Sequence, residues 1–272
     1  MGKSTIAAAL GLAAVRHGRR TVVAEVHRRT DVEHEVTAAG ADHISIDPED
    51  AMEEYLVDQL PVRALADVLV RSRAFTYLAA ATPGMRELLT AGKVWELAQD
   101  RRRTPGAEPY DFVVVDAPAT GHGVAVLAAP RTFAGAARVG PIARQGGIID
   151  AMLSDPSRTA VVAVTTPEEL PVNETLVLRD ALRTQLGLEL ALVVVNEMRP
   201  DRFTEGDAER LRAADGAPAR VALAAHGHAR AQRAQVARLR RGLGGEVPTV
   251  RVPFNSAGAD LDAIADRLER AL

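Results

Sequence analysis

Two short strings carry residue types that do chemistry on phosphate. The chain opens Gly2-Lys3-Ser4-Thr5 and runs at once into an apolar stretch, residues 6–15. Glycine lets backbone amides approach an anion, lysine supplies a cation for the β and γ oxygens, and a serine hydroxyl is a hard ligand for Mg2+. Gly-Lys-Ser-Thr entering a helix is the second half of a Walker A loop. Taken alone, the tetrapeptide reads equally as a frayed amino terminus. The second string is Tyr110-Asp111-Phe112-Val113-Val114-Val115-Asp116-Ala117-Pro118-Ala119-Thr120-Gly121-His122. An apolar strand over 112–115 ends there in Asp116, the Walker B arrangement, whose carboxylate holds Mg2+, usually through water. The loop 117–122 then stands where it can sense a γ-phosphate.

A complete Walker loop has a strand and further glycines before Gly-Lys-Ser. We expect these to be encoded ahead of Met1, with a valine codon inside the loop taken as the start. An in-frame stop codon directly before Met1 would contradict that expectation.

These residues need a scaffold that brings strand ends together. β-Branched runs recur at Thr21–Val26, 43–46, 112–115, 160–165, 192–195 and 249–252. Several are continuously apolar, as strands buried on both faces of a parallel sheet are. Helical periodicity separates them: Leu178, Leu182 and Leu186 recur every fourth residue, and Leu261, Ile264 and Leu268 mark a closing amphipathic helix. The alternation predicts a doubly wound α/β fold in one domain, 1–272, with a mostly parallel sheet. Residues 48–103 and 130–156 interrupt the rhythm and read as a helical subdomain. Residues 201–245 read as helix broken near Gly216 and Gly227. In such sheets ligands lie beyond the carboxyl ends of the strands. Glu25, His27, Asp116, Thr166, Pro167, Asn196 and Pro253 stand at those ends.

With these motifs in this order, the sequence resembles the ArsA family of ATPases, which belongs to the deviant Walker A branch of P-loop NTPases. That family carries a strand followed by Asp-Thr-Ala-Pro-Thr-Gly-His; here Asp116-Ala117-Pro118-Ala119-Thr120-Gly121-His122 is similar. Gly2-Lys3-Ser4-Thr5 matches the end of the family's Gly-Lys-Gly-Gly-Val-Gly-Lys-Ser-Thr loop. Thr166-Pro167-Glu168-Glu169 and Asn173-Glu174-Thr175 look like its Pro-Glu…Glu-Thr segment. Asn196 resembles the Asn that reads adenine, and Pro253-Phe254 the late segment lining the base pocket. Phe133 to Pro141 and Gly92-Lys93-Val94-Trp95-Glu96-Leu97 fit bacterial, mainly actinobacterial, members.

The resemblance implies an ATP-binding, Mg2+-dependent ATPase whose nucleotide cycle closes a dimer. Lys3, Asp116 and Glu25 would be the catalytic residues. Gly2, Lys3, Ser4, Thr5, Pro118, Gly121, Asn196, Pro253 and Phe254 would bind nucleotide, and Ser4 and Asp116 the metal. ATP and ADP would be the ligands, with a homodimer or a heterodimer with a paralogous ATPase, and a membrane protein as a further partner.

Three departures qualify the match. The family's signature lysine, early in the Walker loop, has no counterpart after Met1. The family's Asp after the second strand, which orients the attacking water, falls at His27 or Val26; Glu25 or Asp31 would have to substitute. This leaves an alternative open, a catalytically weak nucleotide-binding subunit paired with an active paralogue, and a third, an ATP-independent scaffold. Cysteine is absent, so arsenite capture by thiolates and a zinc-bridged dimer are not expected.

Composition excludes other classes. Of 272 residues, 47% are hydrophobic and 25% charged, which fits a globular chain. Aromatics are 3% and the net charge is −3, which argues against nucleic acid. Five methionines are too few for a Met-lined groove. The apolar stretch 6–15 is too short to span a bilayer and suits a helix under a sheet, so the protein is expected in the cytoplasm. Lysine occurs only at Lys3 and Lys93. His226-Gly227-His228 reads as a solvated turn, and Arg230, Arg233, Arg238, Arg240 and Arg241 as a solvated helix face. Glu49, Asp50, Glu53 and Glu54 read as the start of a helix after Pro48, where acids suit the dipole.

Overall fold

The computed structural model describes residues 2–26, 30, 32–103 except 60–81, 106–137, 139–214 and 216–271. His27 and Asp31, both weighed above, lie outside the described residues, as does the 60–81 part of the expected helical subdomain. By their contacts the residues fall into two compact units.

The first unit holds Lys3–Thr159 with Thr184–Leu188. Among the described residues its sheet holds β1 (Thr21–Val26), β2 (Asp42–Ile46) and β3 (Phe112–Asp116), in the order β2-β1-β3. Every pairing is parallel, with Glu25 opposite Ser45 on one side and Asp116 on the other. β1 is buried along its whole length, because helices cover both faces. On one face α1 (Lys3–Arg16) lies so close that a Cβ on Gly11 would stand 2.7 Å from the Val23 side chain. On the other, Leu97 and Val94 of α4 (Met85–Leu97) pack on Ala24, Ile44, Ile46 and Val113. Val23 and Ala24 point to opposite faces, so α1 and α4 sandwich the sheet.

Between them run α2 (Glu33–Ala38) and α3 (Pro48–Gln59), the latter with Glu49 and Asp50 in its first turn as its sequence suggests. Asp47 accepts from the Glu49 N–H at 2.6 Å, a side-chain cap on that turn. α5 (Thr120–Ala137) and α6 (Pro141–Leu153) form a helical layer with α4, in which Ala91, Ile149, Met152 and Leu153 are buried against Trp95, Val126 and Leu127. Arg131 of α5 ties this layer down, bonding Asp150 at 3.1 Å and the Gln185 carbonyl at 3.2 Å.

The second unit holds Gly2, Ala160–Arg183 and Glu189–Leu272. Its strands are β4 (Val161–Thr165), β5 (Leu190–Met198) and β6 (Thr249–Pro253), again parallel and in the order β4-β5-β6. Leu192, Val193, Val194 and Val195 are wholly buried, as expected of a central strand. α7 (Glu169–Ala181) follows β4 and passes into a π turn, Leu182–Leu186, where the sequence suggests continued α-helix. α8 (Glu205–Ala213) carries a capping box between Thr204 and Asp207. α9 (Ala217–Gly242) is one unbroken helix, and α10 (Leu261–Glu269) closes the chain.

The break expected near Gly216 is present: Gly216 has φ +123° and caps α9. The break expected near Gly227 is not. Gly227 costs an exposed helix only about 1 kcal/mol relative to alanine, and its Ala- and Arg-rich neighbours propagate the helix through it. His226 and His228 are therefore helical and not in a turn. His226 is buried, with Nδ1 3.1 Å from the Phe203 carbonyl. The basic face expected on this helix is also partly engaged: Arg238 bonds Asn173, and Arg233 pairs with Asp201 at 2.6 Å.

Candidate functional site

In the first unit the two motif strings converge. β3 delivers Asp116 to its carboxyl end, and α1 begins at Lys3 beside it. The Ser4 hydroxyl donates to Oδ2 of Asp116 at 2.5 Å. Asp116 is 6% exposed, so this carboxylate is held in a poor solvent for charge and its partners matter. Lys3, Ser4 and Thr5 are half-buried in the first turn of α1, where backbone N–H groups have no partner within the helix. A hydroxyl and a carboxylate in contact, beside a helix N-terminus and a lysine, form a hard-oxygen pair that fits Mg2+, which takes few protein ligands and keeps its waters. Among the described residues no larger cluster of His, Asp and Glu gathers as a metal site.

The segment after Asp116 projects outward. Ala117 and Ala119 are exposed, Pro118 is half-buried, and Gly121 lies in the first turn of α5. Among the described residues a Cβ on Gly121 would meet nothing within 4 Å.

Glu25 lies one strand over from Asp116, in register with it. It is wholly buried. Its Oε2 accepts from the Val32 N–H at 3.3 Å and stands 2.9 Å from Nε2 of His43 on β2. Among the described residues its Oε1 has no hydrogen-bond partner, nor does the Ser45 hydroxyl, whose residue pairs with Glu25 in the ladder. Sequence reading missed His43 and Ser45. The signal was their alternation with Ile44 and Ile46, which turns both toward the Glu25 face of the sheet.

In the second unit the strand ends carry Asn196, Pro253 and Phe254. Asn196 does not end β5, as its sequence suggests; the strand runs on to Met198 through a bulge. Val195 pairs with Arg251 but Met198 with Pro253, three steps along β5 against two along β6. Glu197 takes the strain with φ +59°, the sole non-glycine at positive φ among the described residues. The Phe254 N–H donates to the Met198 carbonyl at 2.8 Å, and the Arg199 guanidinium lies 4.1 Å from the Phe254 ring centroid. Gly2 belongs to this unit by contact. A Cβ on it would fall 2.4 Å from the Asn196 amide nitrogen, and its φ is +77°, so glycine is required twice over. No helix among the described residues is long and apolar enough to cross a membrane.

The family model described as anion-transporting ATPase matches residues 141–219. ATPase BagA of Mycobacterium tuberculosis is 30% identical, over 98% of this chain and 88% of its own length. A Mycobacterium bovis protein named as an ATPase matches to the same extent. A Halobacterium salinarum protein named as an arsenical pump-driving ATPase is 29% identical over 75% of this chain, which spans 35% of that relative's length. With a family model, relatives aligned nearly end to end and a parallel α/β fold in agreement, the chain belongs to the ArsA family of ATPases.

Proposed function

We propose that this ArsA-family chain acts as one ATPase domain that binds Mg·ATP, hydrolyses it, and uses the cycle to change the closure of a dimer. The observation that carries the proposal is the 2.5 Å contact between Ser4 and Asp116. It brings a hydroxyl and a carboxylate together, which supports reading them as a Walker pair. Ser4 and Asp116 would hold Mg2+, which when bound neutralises charge on the β and γ phosphates. Lys3 would contact the same phosphates, and the first-turn amides with Gly2 and Thr5 would bind their oxygens. Pro118 and Gly121 would shape the segment that follows Asp116. Asn196, Pro253 and Phe254 would contact adenine. The reaction is in-line attack of water on the γ-phosphorus: the bond to the bridging oxygen breaks, ADP leaves, and the water's proton passes to solvent or a base.

Glu25 is the candidate base on β1, and its burial favours a second reading. A carboxylate with no exposed surface, bonded to His43, reaches an attacking water only through an internal water on Oε1. A chain that binds ATP but turns it over weakly, in a heterodimer with an active paralogue, would fit that burial. We place the protein in the cytoplasm with ATP, and a membrane protein remains the partner class suggested by the relative named for a pump. The absence of cysteine argues against arsenite held by thiolates as the cargo.

Phosphate release from Mg·ATP separates the readings. Steady turnover by the purified chain, abolished in Lys3→Ala, supports the ATPase. Tight ATP binding with turnover only on adding the paralogue supports the partner subunit. Absence of nucleotide binding contradicts both.

A further inference from the structure

The strained bulge of β5 is held by a side chain that neither motif string includes. Gln232 of α9 is 3% exposed. Its Oε1 accepts from the Arg199 N–H at 2.8 Å, and its Nε2 donates to the Glu197 carbonyl at 3.4 Å and to Oε1 of Glu168 at 3.3 Å. One primary amide thus takes the carbonyl of residue 197 and the N–H of residue 199. That is the pair of bonds one residue of a neighbouring parallel strand would make. Gln232 takes the place of a ladder partner on the β4 side of β5, beyond the last β4–β5 pair at Thr165 and Val195, while the Met198 carbonyl points the other way to the Phe254 N–H on the β6 side.

The arrangement has a physical purpose. A non-glycine residue at positive φ costs on the order of 1–3 kcal/mol and persists only where its surroundings fix it. Glu197 is bracketed by Gln232 on its own carbonyl and, two residues on, on the Arg199 N–H. Asn196 precedes it; Arg199, stacked on Phe254, follows it. Glu168, the third partner, is the N-cap residue of α7 at the end of β4. One buried amide therefore joins the carboxyl ends of β4 and β5. It is anchored on a helix that Arg238 ties to Asn173, and whose Gly242 carbonyl accepts from Arg179.

We propose that Gln232 is a positioning residue for base recognition: by holding the Glu197 bulge it aims Asn196 and the Arg199–Phe254 pair at adenine and sets the preference for ATP over GTP. The proposal rests on the reading that Asn196, Pro253 and Phe254 contact the base. Gln232 itself need not touch nucleotide.

The test is the ratio of dissociation constants for Mg·GTP and Mg·ATP, measured by calorimetry on the whole chain. Wild type should prefer ATP. Gln232→Met keeps the volume and removes all three bonds, and should lower the preference about tenfold, the value of one to two lost hydrogen bonds. The loss should lie in ATP affinity, with GTP affinity little changed. A merely structural role would weaken both nucleotides together and leave the ratio intact. Gln232→Glu keeps the acceptor for Arg199 but sets a carboxylate against Glu168; adding Glu168→Gln returns a donor to that contact. The double variant should regain preference over Gln232→Glu, which keeps the test decisive if Gln232→Met fails to fold. An unchanged ratio in the variants, or a wild type that binds ATP and GTP equally, overturns the proposal. A wild type that binds neither nucleotide overturns the Mg·ATP reading itself, and this one with it.

Discussion

The Ser4 hydroxyl donates to Oδ2 of Asp116 at 2.5 Å, closing a separation of 112 residues. Neither side chain is exceptional alone. Together they make a two-oxygen face at the end of β3, and on the proposed reading Ser4 and Asp116 would hold Mg2+ there. Asp116→Asn keeps the size and removes the charge, and Ser4→Ala removes the hydroxyl. Each should cut Mg2+-dependent turnover about a hundredfold or more, because several kcal/mol of charge stabilisation are lost. Phosphate release across a Mg2+ titration reads this out. Turnover that survives both changes would remove the pair from the site.

The two lysines make opposite predictions. Lys93 pairs with Glu54 at 2.6 Å, a surface contact worth about 1 kcal/mol or less. Lys3 stands at the start of α1 beside the Ser4–Asp116 pair. Lys3→Ala should weaken ATP binding at least about tenfold, the loss of a charge-assisted contact. Lys93→Ala should leave it unchanged. Titration of a fluorescent ATP analogue into both variants makes the comparison.

How legible this was depended on whether a feature is local. β1 is read from sequence with its observed bounds, because six buried residues between turn signals admit one interpretation. The Walker strings are local too, so Ser4 and Asp116 could be named without knowing that they touch. His43 and Gln232 could not. Each acts through a partner far away in sequence, Glu25 for the first and Glu197 and Arg199 for the second, and a lone His or Gln carries no period or spacing that announces it. The Gly227 error has another origin. Glycine signals a break on its own, but helix α9 has enough favourable residues on either side to override one weak position.

The His43–Glu25 contact is buried, so His43→Ala should destabilise the fold. Among the described residues, the variant leaves Glu25 the Val32 N–H as its remaining hydrogen-bond partner. The expected loss is about 2 kcal/mol, the cost of an unsatisfied buried polar group. His43→Gln, which retains a donor, should recover part of it. Urea unfolding followed by circular dichroism measures both. Equal midpoints for wild type and His43→Ala would show that the contact contributes nothing.

Glu96 gives the acid limb of stability. Burial alone would raise its pKa, but the bidentate hydrogen bonds and charge of Arg102, with Lys93 and the Arg103 N–H, outweigh that and hold it below the ordinary value of 4.5. A carboxyl depressed in the folded state stabilises above its unfolded pKa and loses that contribution as pH falls through the lower folded value. The folded chain should therefore weaken below about pH 4.5, and Glu96→Gln should flatten this dependence while lowering stability at neutral pH. Urea midpoints between roughly pH 3 and 7 test the sign. A steeper acid limb in the variant would contradict it.

The most direct test of the account is calorimetric titration with ATP, with and without Mg2+, of this chain and of a form extended in frame at its amino terminus. The account predicts saturable heat that depends on Mg2+ and is lost in Asp116→Asn. No heat from either form, with or without the metal, would contradict it.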